Sequence, residues 1–145
     1  MQPVNETDRR VRISTLWVVV MFNILAADIL SFIQPGFLAE VMTGFAGEVQ
    51  ITFEFLLIAA VFLEVPIAMI FLSRVLPHRP NRLANLVAVA ITAAFVIFGG
   101  SFSLHYIFFV AMEVIAMLLI TWYAWSWRSA DRAASARSAP SLAAR

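Results

Sequence analysis

The sequence predicts an all-α integral membrane protein, a four-helix bundle with both termini in the cytoplasm. Of the 145 residues, 62% are hydrophobic, against roughly 45–50% in a soluble domain. Four apolar runs each supply the roughly 20 residues that a helix needs to cross a bilayer. All ten basic residues are arginines, and they lie in only three of the five segments that flank or separate these runs. Together these observations predict both the class of protein and its orientation.

The arginines alternate from one connection to the next. They precede the first run, separate the second from the third and follow the fourth: Arg9, Arg10, Arg12, Arg74, Arg79, Arg82, Arg128, Arg132, Arg137 and Arg145. Short loops that carry Arg stay on the cytoplasmic side during insertion. The distribution is therefore a topological signal, and it forms no basic patch for nucleic acid.

The first elements follow from apolar length and from helix-breaking residues. Residues 1–13 form a polar cytoplasmic segment, and the first span covers about 14–33. The Gln-Pro-Gly sequence at 34–36 ends it, because Pro and Gly interrupt a helix. In 37–45 the apolar residues have helical spacing, which predicts a short amphipathic helix on the outer membrane surface. The alternative is an extracellular lid over the bundle.

The remaining spans complete a single transmembrane domain over 14–127. They cover about 51–76, 83–100 and 103–127, and the last two should form an antiparallel hairpin. Pro66 interrupts the second span, where neighbouring helices can accommodate it. The four tryptophans are predicted at the cytoplasmic interface, which indoles prefer: Trp17, Trp122, Trp125 and Trp127. The Ala-, Ser- and Arg-rich residues 128–145 predict a disordered cytoplasmic tail.

Three carboxylates within the spans are the candidate functional residues: Asp28, Glu64 and Glu113. A charged side chain at mid-membrane costs roughly 2.5–3.5 kcal/mol on insertion scales, and the arginines are all at the cytoplasmic end. Four ways of satisfying these carboxyls stay open. They can be protonated, accept hydrogen bonds from orienting donors such as Asn23 and Asn85, share a proton or pair with His105, or bind a cation or cationic ligand.

Helical spacing predicts which faces of the spans pack against protein. In the third span a small and polar stripe is suited to close helix packing; it comprises Asn85, Ala88, Thr92, Gly99 and Ser103. In the second span, Ala60 and Ala68 flank Glu64 at four-residue spacing. This spacing predicts that Glu64 lies in a small-residue groove facing a neighbouring helix.

Several kinds of chemistry find no support in the sequence. The chain has no Cys, which excludes disulfides, thiolate metal sites and dithiol redox couples. The two histidines, His78 and His105, are predicted on opposite sides of the membrane and so cannot bind one haem or metal together. We therefore expect no cofactor and no metal, and we do not expect an enzyme.

Several stretches resemble a family of small bacterial four-helix membrane proteins known as a domain of unknown function. They are Ser14-Thr15-Leu16-Trp17, Ala27-Asp28-Ile29-Leu30, Leu63-Glu64-Val65-Pro66, His105-Tyr106-Ile107-Phe108 and Trp122-Tyr123-Ala124-Trp125, with Glu113 between the last two. The resemblance covers about 10–127 and implies a helical bundle in the bacterial inner membrane, without an established activity. The four-helix plan is also loosely similar to DoxX-like proteins, by fold-level analogy only.

The leading functional hypothesis is an outward-leaning polar cavity that binds a proton, a cation or a small cationic or amphipathic molecule. The protein would then be a minimal transporter or a subunit of one. In this hypothesis Asp28 and Glu113 form the site, Glu64 relays or gates, and His105 tunes the outer entrance. The alternative is a non-catalytic accessory or structural protein whose buried acids are protonated and hold helices together. The expected partners of the chain are the lipid bilayer, a proton, cation or small amphipathic ligand, and further copies of the chain in a homo-oligomer.

Overall fold

The computed structural model describes residues 6–138 of the chain, with side chains described as far as residue 126. Most of these residues form four long helices. A short helix and a small β-hairpin connect the first long helix to the second. In chain order the elements are α1 (Glu6–Ile33), α2 (Phe37–Met42), β1 (Phe45–Ala46), β2 (Val49–Gln50), α3 (Phe53–Val75), α4 (His78–Phe98) and α5 (Leu104–Ser138). Within this part of the chain, α1, α3, α4 and the Leu104–Ser126 portion of α5 are long and apolar enough to cross a membrane.

The four long helices form a ring in which α1 and α4 lie diagonally opposite. Both α1 and α4 pack against α3 and α5. Contacts join the start of α1 to the later part of α5, from Arg9 to Ser126, and the end of α1 to the start of α5, from Ser31 to His105. Helices α1 and α5 are therefore antiparallel. We call the end that contains Arg9 the arginine end, and the opposite end, which contains α2 and the β1–β2 hairpin, the hairpin end.

The core is formed mainly by α1, α4 and α5. The buried residues of α1 recur every three or four positions, as a helix with one buried face requires: Ile13, Trp17, Val20, Ile24 and Ala27. The inward face of α4 includes Asn85, Ala88 and Thr92, which confirms that part of the predicted stripe. By contrast, α3 buries only Pro66, Met69 and Ser73 among its described residues.

Both terminal helices extend further than the sequence predicts. The first begins at Glu6 rather than near residue 14; Arg9 in this segment donates to Tyr123 and Ser126 of α5, and an Arg10–Glu6 ion pair of 2.6 Å lies in the first turns. The last continues to Ser138, so a part of the segment with predicted disorder is helical. Alanine and arginine are strong helix formers, and no Gly or Pro occurs between Leu104 and Pro140. Residues 1–5 and 139–145 lie outside the described residues.

The connection between α1 and α3 differs in detail from the predicted helix over 37–45. The helix ends at Met42, and Gly44 adopts a left-handed backbone with φ of +87°, a conformation that commonly terminates helices. An antiparallel hairpin follows, which pairs Phe45 with Gln50 and Ala46 with Val49. The fold is therefore all-α except for this two-stranded hairpin, which sequence patterning missed because each strand has only two residues.

Trp17 occupies a different environment from the predicted interfacial one. It is fully buried, and its indole Nε1 donates to Asn85 Oδ1 at 2.7 Å. The indole is therefore enclosed by the bundle, where a buried acceptor on α4 satisfies its N–H. Trp122 and Trp125 are exposed near the arginine end, at 64% and 57%. The Trp127 side chain lies outside the described side chains.

Candidate functional site

The first part of the site is a small chamber beside Glu113. This side chain is 2% exposed, and its Oε2 atom has no hydrogen-bond partner among the described residues. The chamber has a volume of about 70 Å³, which is enough for a small ion or a few water molecules. Its walls come from α1, α4 and α5: Ile24, Ala27, Asp28, Phe95, Val96, Gly99, Tyr106 and Glu113. A buried carboxyl thus borders a space that a small ligand can occupy.

A larger vestibule lies next to this chamber at the hairpin end. Its volume is about 520 Å³, and its walls contain Asp28, Ser31, Phe32, Gln34, Phe37, Glu40, Ala46, Gly47, Gly99, Gly100, Ser101 and Tyr106. The chamber and the vestibule share Asp28, Gly99 and Tyr106. The two spaces are therefore adjacent, and Asp28 contributes a carboxyl to both.

Residues of α2 and the hairpin form one wall of the vestibule, and local contacts hold this wall together. The Glu40 carboxylate accepts a hydrogen bond of 2.6 Å from the backbone N–H of Gly47. The Phe32 and Phe37 rings meet edge to face, with their centroids 5.8 Å apart, which ties α2 to the end of α1. The segment thus covers the vestibule, as the lid alternative requires.

Tyr106 lies where the chamber meets the vestibule, since it lines both. Its hydroxyl donates to the carbonyl of Val96 at 3.1 Å, which links the start of α5 to the end of α4. Its ring lies against Gly100, where an added Cβ would be 2.8 Å from Tyr106 Cε1. A side chain at position 100 would therefore displace the ring. Sequence reasoning missed Tyr106.

Asp28 and Glu113 are the two predicted site residues that the structure brings together. They lie on α1 and α5, and both line the chamber. Like charges that line one cavity repel each other. Protonation of one carboxyl or binding of a cation would relieve this repulsion.

His105 contacts serines rather than a carboxyl. Its Nε2 atom lies 3.3 Å from Ser31 Oγ and 3.4 Å from Ser103 Oγ. Because Ser31 lines the vestibule, His105 is next to that space without lining it. Among the described residues, no hydrogen bond or ion pair joins His105 to Asp28 or Glu113, so the predicted pairing is wrong, while a role for His105 at the entrance stays a prediction.

Asn85 belongs to a separate buried network nearer the arginine end. Its Oδ1 accepts from Trp17 and, at 3.3 Å, from Ser73 Oγ. Its Nδ2 donates to the carbonyl of Asn81 at 2.8 Å and to Asn81 Oδ1 at 2.7 Å. The network therefore joins α1, α3 and α4. Asn85 is not a donor to the carboxyls, and the interpretation of it as one was wrong.

Two further predicted residues lie away from the cavity. Asn23 Nδ2 donates to the carbonyl of Val19 within its own helix, at 2.8 Å, so it does not orient Asp28 or Glu113. Glu64 is exposed on the outside of α3, opposite the helix face that contains buried Ser73. Glu64 was predicted to lie in a small-residue groove that faces a neighbouring helix. Within one chain this prediction is wrong, because the Glu64 side chain points away from α1 and α4, the helices against which α3 packs.

The comparison with protein families matches residues 4–134 to a family of unknown function, DUF6326. The chain belongs to this family. The match spans every helix of the bundle and confirms the resemblance noted from the sequence. Neither the curated proteins nor the solved structures gave a match. Within residues 6–138, no group of three or more His, Asp or Glu side chains is arranged to hold a metal ion.

Proposed function

We propose that this membrane protein binds a small organic cation in the vestibule at the hairpin end, with Asp28 as the anionic group of its wall and Glu113 as a second acid in the adjacent chamber. The unpartnered Oε2 of Glu113 in this chamber is the observation that carries the proposal. Intramembrane acids are costly and commonly mark ligand or ion sites. An uncompensated carboxyl in a chamber next to a space of ligand size is consistent with such a role.

The composition of the vestibule favours a cation over an anion. Its walls contain the carboxyl groups of Asp28 and Glu40, and no Lys, Arg or His is among its wall residues. Phe32, Phe37 and Tyr106 add aromatic surface, and aromatic faces attract quaternary ammonium groups. The volume of about 520 Å³ lies within the roughly 300–1,000 Å³ range of small-molecule sites.

In the accessory-protein alternative, Glu113 would have to join two helices by a hydrogen bond. A protonated carboxyl that holds helices together must donate a hydrogen bond to an acceptor on a neighbouring helix. Among the described residues, Glu113 has no such bond. This observation favours the binding site over the structural role.

The proposed site is a binding pocket and not an open channel. Beyond Glu113, toward the arginine end, Val20, Met117 and Ile120 are at most 4% exposed and fill the core. Transport would therefore require this packed half to open, and flux into liposomes is the measurement that would add transport to the proposal. We also propose a cytoplasmic arginine end in the bacterial inner membrane, supported by the positive-inside rule.

Calorimetry on the purified full chain in mild detergent tests the proposal, with tetramethylammonium, tetraethylammonium and Na⁺ as probes at constant ionic strength. We expect a quaternary ammonium ion to bind, and Asp28→Asn and Glu113→Gln to weaken binding at least about tenfold, or ~1.4 kcal/mol. Glu54→Gln is the matched control, since Glu54 lies at the start of α3 outside both cavities. Equal binding by all variants, or binding of none of the probes, would contradict the proposal.

A further inference from the structure

Glu64 is an isolated acidic side chain on the outer surface of the bundle. It is the middle residue of the 23-residue helix α3, and its side chain is exposed. Arg74, the basic residue of the same helix, is ten positions away, or about 15 Å along the axis, and its Nε donates to Ser14. No hydrogen bond or ion pair joins Glu64 to another described residue. In a single copy of the chain, its carboxyl would face lipid.

The surface around Glu64 is otherwise apolar. Large exposed side chains lie above and below it on the same helix face, at helical spacing: Leu57 (67%), Val61 (61%), Ile67 (43%) and Phe71 (65%). Ala60 is also exposed one turn before Glu64, and Ala68 is partly exposed one turn after it. Of the four spans, α3 is the least buried within the bundle. This face therefore has a large uncovered area with a single polar group at its centre.

We propose that this face of α3 is the interface between two copies of the chain, in which the two Glu64 carboxyls hydrogen-bond to each other. A twofold interface brings the same residue of both copies together. A protonated carboxyl has one donor and one acceptor, so two of them satisfy each other reciprocally. A basic side chain is not available from a second copy, because the arginines of the described helices lie at the arginine end.

The small residues beside Glu64 make this contact sterically feasible. Small side chains let two helix backbones approach closely in lipid, where packing and interhelical hydrogen bonds drive association. Ala60 and Ala68 lie one turn on either side of the carboxyl, so two α3 helices can approach where their carboxyls meet. The inference does not depend on the cation-binding proposal, because Glu64 lines neither cavity.

Association is measured on the labelled full chain by single-molecule photobleaching in lipid vesicles over a range of protein-to-lipid ratios. We expect a dimer, and we expect Glu64→Leu to lower the association constant at least about tenfold, which corresponds to ~1.4 kcal/mol. Glu64→Gln should retain the dimer, since an amide also donates and accepts. Glu54→Leu is the matched control and should leave association unchanged. A monomer at every density, or a Glu64→Leu variant that associates like the parent, overturns the proposal.

Cross-linking locates the interface independently of stability. The chain contains no Cys, so single cysteines can be introduced directly. Under mild oxidation, Ala60→Cys should form a disulfide-linked dimer, whereas Leu118→Cys, at a position 64% exposed on α5, should not. Equal cross-linking at both positions, or cross-linking at the α5 position alone, would show that α3 is not the interface.

Discussion

Asn85 and Glu113 are both buried polar residues of the bundle, yet their surroundings are opposite. Asn85 is 0% exposed and exchanges hydrogen bonds with Trp17, Ser73 and Asn81. Glu113 is 2% exposed, and Oε2 has no partner among the described residues. The two residues lie on adjacent helices, α4 and α5. The difference indicates that one polar region joins the helices, while the other retains unused hydrogen-bonding capacity.

The contrast extends beyond these two residues to the two ends of the bundle. Near the arginine end, Ser14 accepts from Arg74 and donates to the carbonyl of Ile70 at 2.7 Å, so polar groups link α1 to α3. At the hairpin end, the Ser31–His105 and Tyr106–Val96 contacts also join helices, but they lie beside the open space of the chamber and vestibule. Stability should therefore depend on the arginine end, and ligand binding on the hairpin end.

The largest effect on stability is expected from Asn85→Leu. The substitution leaves the buried indole N–H of Trp17 and the Oδ1 atom of Asn81 without their partner. Each unsatisfied buried group costs about 1–3 kcal/mol, so we expect the free energy of unfolding to fall by about 3 kcal/mol. Unfolding in mixed detergent micelles, followed by circular dichroism against the fraction of denaturing detergent, measures this change.

The control for this substitution is Asn23→Leu. Asn23 donates only within its own helix, to Val19, so the free energy of unfolding should change by less than about 0.5 kcal/mol. Similar losses for the two asparagine variants would show that the network around Asn85 is not the source of stability at this end.

A smaller decrease in the free energy of unfolding is expected from Trp17→Phe. Phenylalanine keeps most of the apolar volume but cannot donate to Asn85 Oδ1, which still accepts from Ser73. We expect a loss of about 2 kcal/mol from the hydrogen bond and the reduced volume, in the same unfolding measurement. Trp125→Phe, at an exposed position, is the matched control and should be nearly neutral. If both tryptophan variants lose equal stability, Trp17 is no more important than an interfacial indole.

The sequence predicted the bundle well because apolar length and helix-breaking residues are local signals. It predicted the inward face of α4 for the same reason, since Asn85, Ala88 and Thr92 follow helical spacing. It did not predict the extension of α1 to Glu6 or the burial of Trp17. Those outcomes depend on partners far away along the chain, Tyr123 and Ser126 for Arg9 and Asn85 for Trp17, and no local pattern specifies such partners.

The candidate site was predictable only in part. The cost of burying a carboxyl identified Asp28 and Glu113 without any tertiary information, and the structure places both beside the chamber. The same argument also selected Glu64, because insertion cost depends on depth and not on direction around the helix. Glu40 and Tyr106 were missed, since neither is unusual in sequence and both acquire a role only through the cavity they line.

At the boundary between chamber and vestibule, Gly100→Ala should have a modest effect on stability and a clear one on binding. The new Cβ would lie 2.8 Å from the Tyr106 ring, so the ring must move and its hydrogen bond to Val96 weakens. We expect a loss of about 1 kcal/mol in unfolding free energy and altered tetraethylammonium affinity by calorimetry. Phe102→Ala, two positions further on and outside both cavities, is the control. Unchanged affinity in Gly100→Ala would mean that the position of the Tyr106 ring does not affect binding.

The smallest expected change in stability, and one of opposite sign, comes from Glu113→Leu. Replacing Asn85 by leucine removes hydrogen bonds that exist, whereas replacing Glu113 by leucine removes a buried polar group that has none. The apolar side chain also fills part of the 70 Å³ chamber. We therefore expect the free energy of unfolding to rise by about 0.5–1 kcal/mol, while binding of tetraethylammonium is lost. A variant that is more stable and no longer binds would show that Glu113 is kept for the ligand at the expense of the fold. A variant less stable by 2 kcal/mol or more would instead show that Glu113, like Asn85, holds helices together, and the distinction between the two ends would fail.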